Sequence, residues 1–160
     1  MKILTSHLDL FESLNREGVE YLLIGGVVAI AYGVPRTTQD IDLLINPTID
    51  NAKKILAVLQ KLGFGTAHMI TPEELVKTEA VLLKDYFRID ILTRLKKFEF
   101  KDVYHNRNII HIGKKSFIPI LSLEDLLSEK KSVARDKDSQ DILTLGKIVR
   151  KRRSKKKKNK

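Results

Sequence analysis

The sequence predicts an α/β (α+β) domain with a helical C-terminal segment, and three observations predict it. Over the first 120 or so positions, short apolar runs bounded by Gly or Pro alternate with stretches of helical periodicity. After Leu121 two helical patterns follow one another with no strand between them. The chain has 160 residues, 42% of them hydrophobic, and only 8 Gly and 4 Pro, which suits one ordered domain with a real core.

Leu8, Leu10, Phe11 and Leu14 recur at helical spacing and predict a helix over 6–16, ended by Gly18. Tyr21-Leu22-Leu23-Ile24, bounded by Gly25-Gly26, reads as a buried strand. Residues 27–32 read as a short helix off the glycines, closed by Gly33 and Pro35. Residues 40–45 form the next strand, stopped by Pro47. Thr48 or Asp50 caps a helix over 51–62 with Ile55, Leu56, Leu59 and Leu62 as its stripe. Thr71-Pro72-Glu73-Glu74 starts a short helix with Pro at its first position. Residues 80–83 and 87–93 read as strands joined by a tight turn, and 109–112 and 116–120 as a hairpin around Gly113. Ser122-Leu123-Glu124-Asp125 opens a helix running to about Arg135, and a last helix covers 137–149. The resulting division is a core over 1–121, C-terminal helices over 122–149 and a disordered basic tail over 150–160.

Net charge is +10, with nine Lys or Arg and no acid among the last eleven positions. The remainder holds 21 basic and 20 acidic residues, so the basicity belongs to the tail. A run of this kind is read either as an arm for RNA or DNA or as a solubilising end. No cysteine is present, which excludes disulfides, a thiol nucleophile and a Cys-rich zinc site. The first residues lack the pattern of a signal peptide, and no apolar run approaches the length that spans a bilayer. A soluble cytoplasmic protein with no membrane partner is the expectation. His7, His68, His105 and His111 show no metal-ligand spacing, and neither a Walker-type loop nor a nucleophile elbow is present.

The chemistry concentrates in three places. Gly25-Gly26, between a strand and a helix, lets phosphates approach the backbone, with the helix N–H groups aimed at the same point; read alone, it is also an ordinary tight turn. Asp40 and Asp42 alternate with Ile41 and Leu43, so in a strand both carboxylates share a face, about 7 Å apart. Such a pair is either a solvated edge or a site for divalent cations that also bind substrate phosphates. Asp90 lies in the apolar run Phe87-Arg88-Ile89-Asp90-Ile91-Leu92. It is either an acid paired with Arg88 or Lys84, or the third member of a carboxylate set acting as general base or metal ligand.

In combination, Leu23-Ile24-Gly25-Gly26, thirteen intervening residues, Asp40-Ile41-Asp42 and a later strand bearing an acid resemble the DNA polymerase β-like nucleotidyltransferases. The resemblance implies a nucleotidyltransferase-like mixed sheet flanked by helices. It also implies transfer of a nucleoside monophosphate from an NTP to an acceptor hydroxyl, by a mechanism using two Mg²⁺, with Mn²⁺ as the alternative ion. Asp40, Asp42 and Asp90 would be the catalytic and metal-holding acids, and Gly25 and Gly26 the triphosphate cradle. Arg36 and Thr38 would steady phosphate or orient the acids. Further along, Ser122 to Lys130 and Arg135-Asp136-Lys137-Asp138-Ser139-Gln140-Asp141 look like the C-terminal helices of small bacterial nucleotidyltransferases related to abortive-infection toxins. There Lys130, Arg135, Asp138 and Asp141 would lie near the nucleotide; Lys130 and Asp138 could equally form a salt bridge between two helices. The family pattern often carries Ser where Gly26 stands. The acceptor suggested by the tail is RNA; the alternative reading is a non-catalytic nucleotide- or nucleic-acid-binding member of a toxin–antitoxin pair.

Overall fold

The strand β1 (Tyr21–Ile24) is buried at all four positions, as its unbroken apolar run requires, and it lies inside the sheet. In the computed structural model, which describes residues 2–133 and 135–159, the other strands are β2 (Ile41–Ile45), β3 (Ala80–Lys84), β4 (Arg88–Leu92), β5 (Asn108–Ile112) and β6 (Ser116–Ile120). Their order is β3-β4-β2-β1-β6-β5. The sheet is mixed: β1 runs antiparallel to β2 and parallel to β6, and β2 runs parallel to β4.

The helices are α1 (Lys2–Ser6), α2 (Leu8–Arg16), α3 (Gly25–Tyr32), α4 (Ile49–Lys61), α5 (Pro72–Lys77), α6 (Phe100–Tyr104), α7 (Leu123–Val133) and α8 (Ser139–Lys158). Strand alternation sorts the sheet residues between two helical layers. Phe11 of α2 stacks on Tyr21, and Tyr21 is in register with Ile45, so Ile41, Leu43 and Ile45 share the face covered by α2 and α4. Leu22, Ile24, Asp42 and Leu44 therefore face the opposite layer, where α3 packs against α7 and α8. One continuous apolar core fills both sides.

Local chemistry accounts for most boundaries. Thr48 caps α4 by accepting from the N–H of Asn51. Thr71 and Glu74 form a reciprocal capping box with Pro72 at the first helical position of α5. Four expectations need correction. The first helix is broken at His7, whose ring lies against Phe87 with centroids 3.9 Å apart. Asp40 stands just before β2 rather than within it: the pairing of β2 with β4 begins at Ile41, and the Asp40 N–H donates to Thr38 Oγ1 in the preceding loop. The last helix begins at Ser139, after a 3₁₀ turn over Asp136–Asp138. Finally, the basic tail expected to be disordered continues α8 to Lys158. Lys and Arg are good helix formers, and a helix already anchored through buried Leu145 and Val149 extends without a new nucleation cost. Lys160 lies outside the described residues. Among those described, no helix is long and apolar enough to cross a membrane.

Candidate active site

Parallel pairing of β2 and β4 puts Asp42 directly beside Asp90 in register, and Ile24, the last residue of β1, flanks Asp42 on the other side. Side chains in register on neighbouring strands project from the same face, so two carboxylates stand side by side in a largely apolar setting. Burial first, then the charges of Asp90 and Asp40 and a hydrogen bond with Asp90, push the Asp42 carboxyl up to about 6. Asp90 is gripped from its own strand: Arg88 Nε and Nη2 each donate at 2.9 Å to its two oxygens. Asp90 is thus paired with Arg88, as one sequence reading anticipated, and it also adjoins Asp42. Asp40 is exposed on the loop leading into β2.

Gly25 begins α3 with a left-handed backbone, φ 76°, and a Cβ there would lie 3.1 Å from Asp42 Cγ. The glycine thus serves both the turn and the close approach of the carboxylate. No side chain caps α3, so its first N–H groups remain available to a ligand. At Gly26 the missing side chain makes room for Arg36: a Cβ would meet Arg36 Nη2 at 2.8 Å and Nη1 at 3.1 Å. A side chain here, as in the Gly-Ser pattern, requires the guanidinium to shift.

Arg36 is fixed in place by a bidentate pair with Asp141, Nε to Oδ1 at 2.9 Å and Nη2 to Oδ2 at 2.8 Å. Lys130 Nζ binds the same Asp141 at 2.9 Å and Asp138 at 3.2 Å, and Arg135 Nε donates to Asp138 at 2.8 Å. Lys130, Asp138 and Asp141 are buried, while Arg36 and Arg135 keep exposed surface. Burial pushes both aspartates up. Hydrogen bonds and charge from Arg36, Arg135 and Lys130 more than offset this and hold both below the usual carboxylate range. Three cations against two anions leave one net positive charge, presented through the two guanidinium groups. Lys130 and Asp138 do form the salt bridge that one sequence reading anticipated.

These groups surround one cleft of about 630 Å³, within the usual size of a small-molecule site. Gly25, Gly26, Arg36, Thr38, Asp40, Asp42, Asp90, Lys130 and Asp138 all line it. Thr38 lies at the mouth, holding the Asp40 backbone. Sequence reasoning matched Asp141 to the stretch near the nucleotide but did not pair it with Arg36, and it did not put Arg88 among the site residues. An acid in α8 and an arginine in the loop before β2 are 105 positions apart, and nothing in the spacing pairs them. It also missed Glu129, whose carboxylate accepts from the N–H groups of Lys96 and Lys97 and latches the loop after β4 onto α7. That latch brings Leu95 to the cleft wall.

The donor set can be tested against a divalent ion. Among the described residues no three metal-binding side chains are gathered closely enough to enclose an ion. Magnesium, however, commonly takes only one or two carboxylates and completes its shell with water and substrate phosphate. The Asp42–Asp90 pair favours positive charge: the Arg88 guanidinium sits on Asp90, and the Asp42 carboxyl is pushed up to about 6. The residues fit a hard cation bound open to substrate.

Two solved structures share the fold. Lincosamide antibiotic adenylyltransferase LnuA, lincomycin-bound, matches with a TM-score of 0.59 at 20% identity, over 92% of this chain and 96% of that one. The Thermotoga maritima protein TM1012, described as a candidate nucleotidyltransferase, matches with a TM-score of 0.54 at 20% identity, over 99% and 93%. No curated protein matches the chain. The model of the family described as nucleotidyl transferase of unknown function (DUF2204) matches residues 4–160. With its mixed sheet, glycine turn and paired carboxylates, the chain belongs to this nucleotidyl transferase family.

Proposed function

We propose that this protein transfers a nucleoside monophosphate from an NTP to an acceptor hydroxyl in the cleft, with Mg²⁺ (or Mn²⁺) held by Asp42, Asp90 and Asp40. The observation that carries the proposal is the register of Asp42 with Asp90, directly beside the uncapped start of α3 and the Arg36 guanidinium. When bound, the ions supply charge neutralisation at the triphosphate and at the acceptor oxygen.

The chain's own groups do the rest. N–H groups at Gly25 and Gly26 bind triphosphate oxygens, helped by the positive end of the helix. Arg36, oriented by Asp141, offers its remaining donors to the same phosphates in a fixed plane. Lys130 holds Asp138 and Asp141 in place from beneath. Asp90 receives the proton of the acceptor hydroxyl on a carboxylate oxygen. The acceptor oxygen forms a bond to the α-phosphorus, the bond between the α-phosphorus and the bridging oxygen breaks, and pyrophosphate leaves. A cytoplasmic location, where NTPs are supplied, goes with this reading.

The test is incubation with α-³²P-labelled NTPs and Mg²⁺, offering RNA in one arm and small hydroxylated acceptors in the other. Label should move to one acceptor class, and Asp42→Asn should lower the rate at least ~10²-fold while remaining folded. Undiminished transfer by Asp42→Asn overturns the proposed site.

A further inference from the structure

We propose that the exposed end of α8, residues 150–158, is a nucleic-acid-binding arm that engages phosphate backbone away from the cleft. Eight of these nine residues are Lys or Arg, the ninth is Ser154, and all are exposed. The last buried residue of the helix is Val149.

The position of the arm follows from contacts along α8. Asp141 meets Arg36 at the start of α3, where the cleft lies. Seven residues further, the Ile148 side chain lies against Gly33 at the far end of α3, and Arg152 sits over the Tyr32 ring at 5.6 Å. The two helices therefore run in the same direction, and α8 carries its charge away from the carboxylates. At about 1.5 Å per residue the arm begins ~14 Å beyond Asp141 and ends ~25 Å beyond it.

Composition selects the partner. No apolar or aromatic residue occurs after Val149, so the arm has no face to insert into a bilayer and no anchor for the buried centre of a protein interface. Cations cover every side of the helix. Lys151 and Lys155, Arg152 and Lys156, and Arg153 and Lys157 are like-charge neighbours one turn apart, an arrangement that repels itself in isolation. A polyanion relieves that repulsion and releases its own counterions. A nucleic acid supplies phosphates at regular intervals, and five lysines and three arginines spread round every side of the helix engage backbone. The inference is independent of the transfer reaction, because the arm does not line the cleft.

The experiment is fluorescence anisotropy with a labelled 20-nucleotide single-stranded RNA, the matching DNA and a duplex, titrated across a salt series. Three proteins are compared: the full chain, a chain ending at Val149, and the full chain with Lys155→Gln, Lys156→Gln, Lys157→Gln and Lys158→Gln. Four neutralised phosphates give a log–log salt slope of about −3. The glutamine variant should lose tenfold or more in affinity and most of that slope while keeping its melting temperature. ATP with Mg²⁺ should leave binding unchanged. Equal binding by the glutamine variant, displacement by ATP, or tighter adsorption to phosphatidylglycerol vesicles than to any oligonucleotide would each overturn the assignment.

Discussion

Burial and the carboxylates of Asp90 and Asp40 push Asp42 up to about 6, so the ion-free folded protein holds that proton more tightly than the unfolded chain does. The sign follows from linkage. Below the unfolded value, 3.8, Asp42 is protonated in both states and costs nothing. Between 3.8 and about 6 the unfolded chain has lost this proton while the folded state still holds it, so stability falls by about 3 kcal/mol over that window, and the loss is complete once the folded carboxyl ionises. Asp42→Asn removes the titration. In chelator-treated protein the variant should therefore be more stable than the parent at pH 8 and nearly equal to it at pH 4, as measured by urea denaturation. A gap of the same size at both pH values would show that the carboxyl does not titrate in this way.

At the scale of elements, Asn51 joins three of them. Its Oδ1 accepts from the Glu20 N–H, and its Nδ2 donates to the carbonyls of Glu20 and Asn46. The first turn of α4 thereby ties the chain ahead of β1 to the chain after β2, and so helps hold Asp42 in register. Asn51→Ala leaves the Glu20 N–H unpaired, while the Glu20 and Asn46 carbonyls keep the N–H groups of Asn46 and Thr48; it should cost about 1–3 kcal/mol, seen as a lower urea midpoint with unchanged slope. The strands and the larger helices were legible because each is a long apolar run or a clear stripe with punctuation at its ends. The helix α6 was not: its cap is Glu99 with Asp102 rather than a Ser or Thr pair, and its five residues carry no period. The sheet order was not legible either. That β4 lies beside β2 rather than on the far side of β1 is settled by packing, and so the meeting of Asp90 with Asp42 entered from family resemblance, not from spacing. The residues around the cleft were largely legible one at a time, while the partners that fix them, Asp141 above all, come from contacts distant in sequence.

Across the whole molecule, Lys130, Asp138, Asp141 and Arg36 join the C-terminal helices to the loop that precedes β2. Lys130→Met removes the only buried cation of that network among the described residues, leaving Asp141 to Arg36 and Asp138 to Arg135 alone, and should cost about 2–3 kcal/mol. Hydrogen exchange should then rise first in α7 and α8, with β1 and β2 protected longest; uniform loss of protection would refute a local joint.

The contact of Gly26 with Arg36 bears on how this site can change over generations. A side chain at position 26 collides with a guanidinium that Asp141, in a helix more than a hundred positions later, refuses to release. Positions 26, 36 and 141 are therefore sterically and electrostatically coupled. Serine, the residue of the Gly-Ser pattern, is harmful here on the present background and acceptable only after Arg36 has already given way, so substitutions at 26 and 36 are strongly non-additive. A lineage carrying Gly-Gly reaches Gly-Ser by losing its arginine first, and any descendant with Ser at this position should have lost the Arg36–Asp141 pair as well.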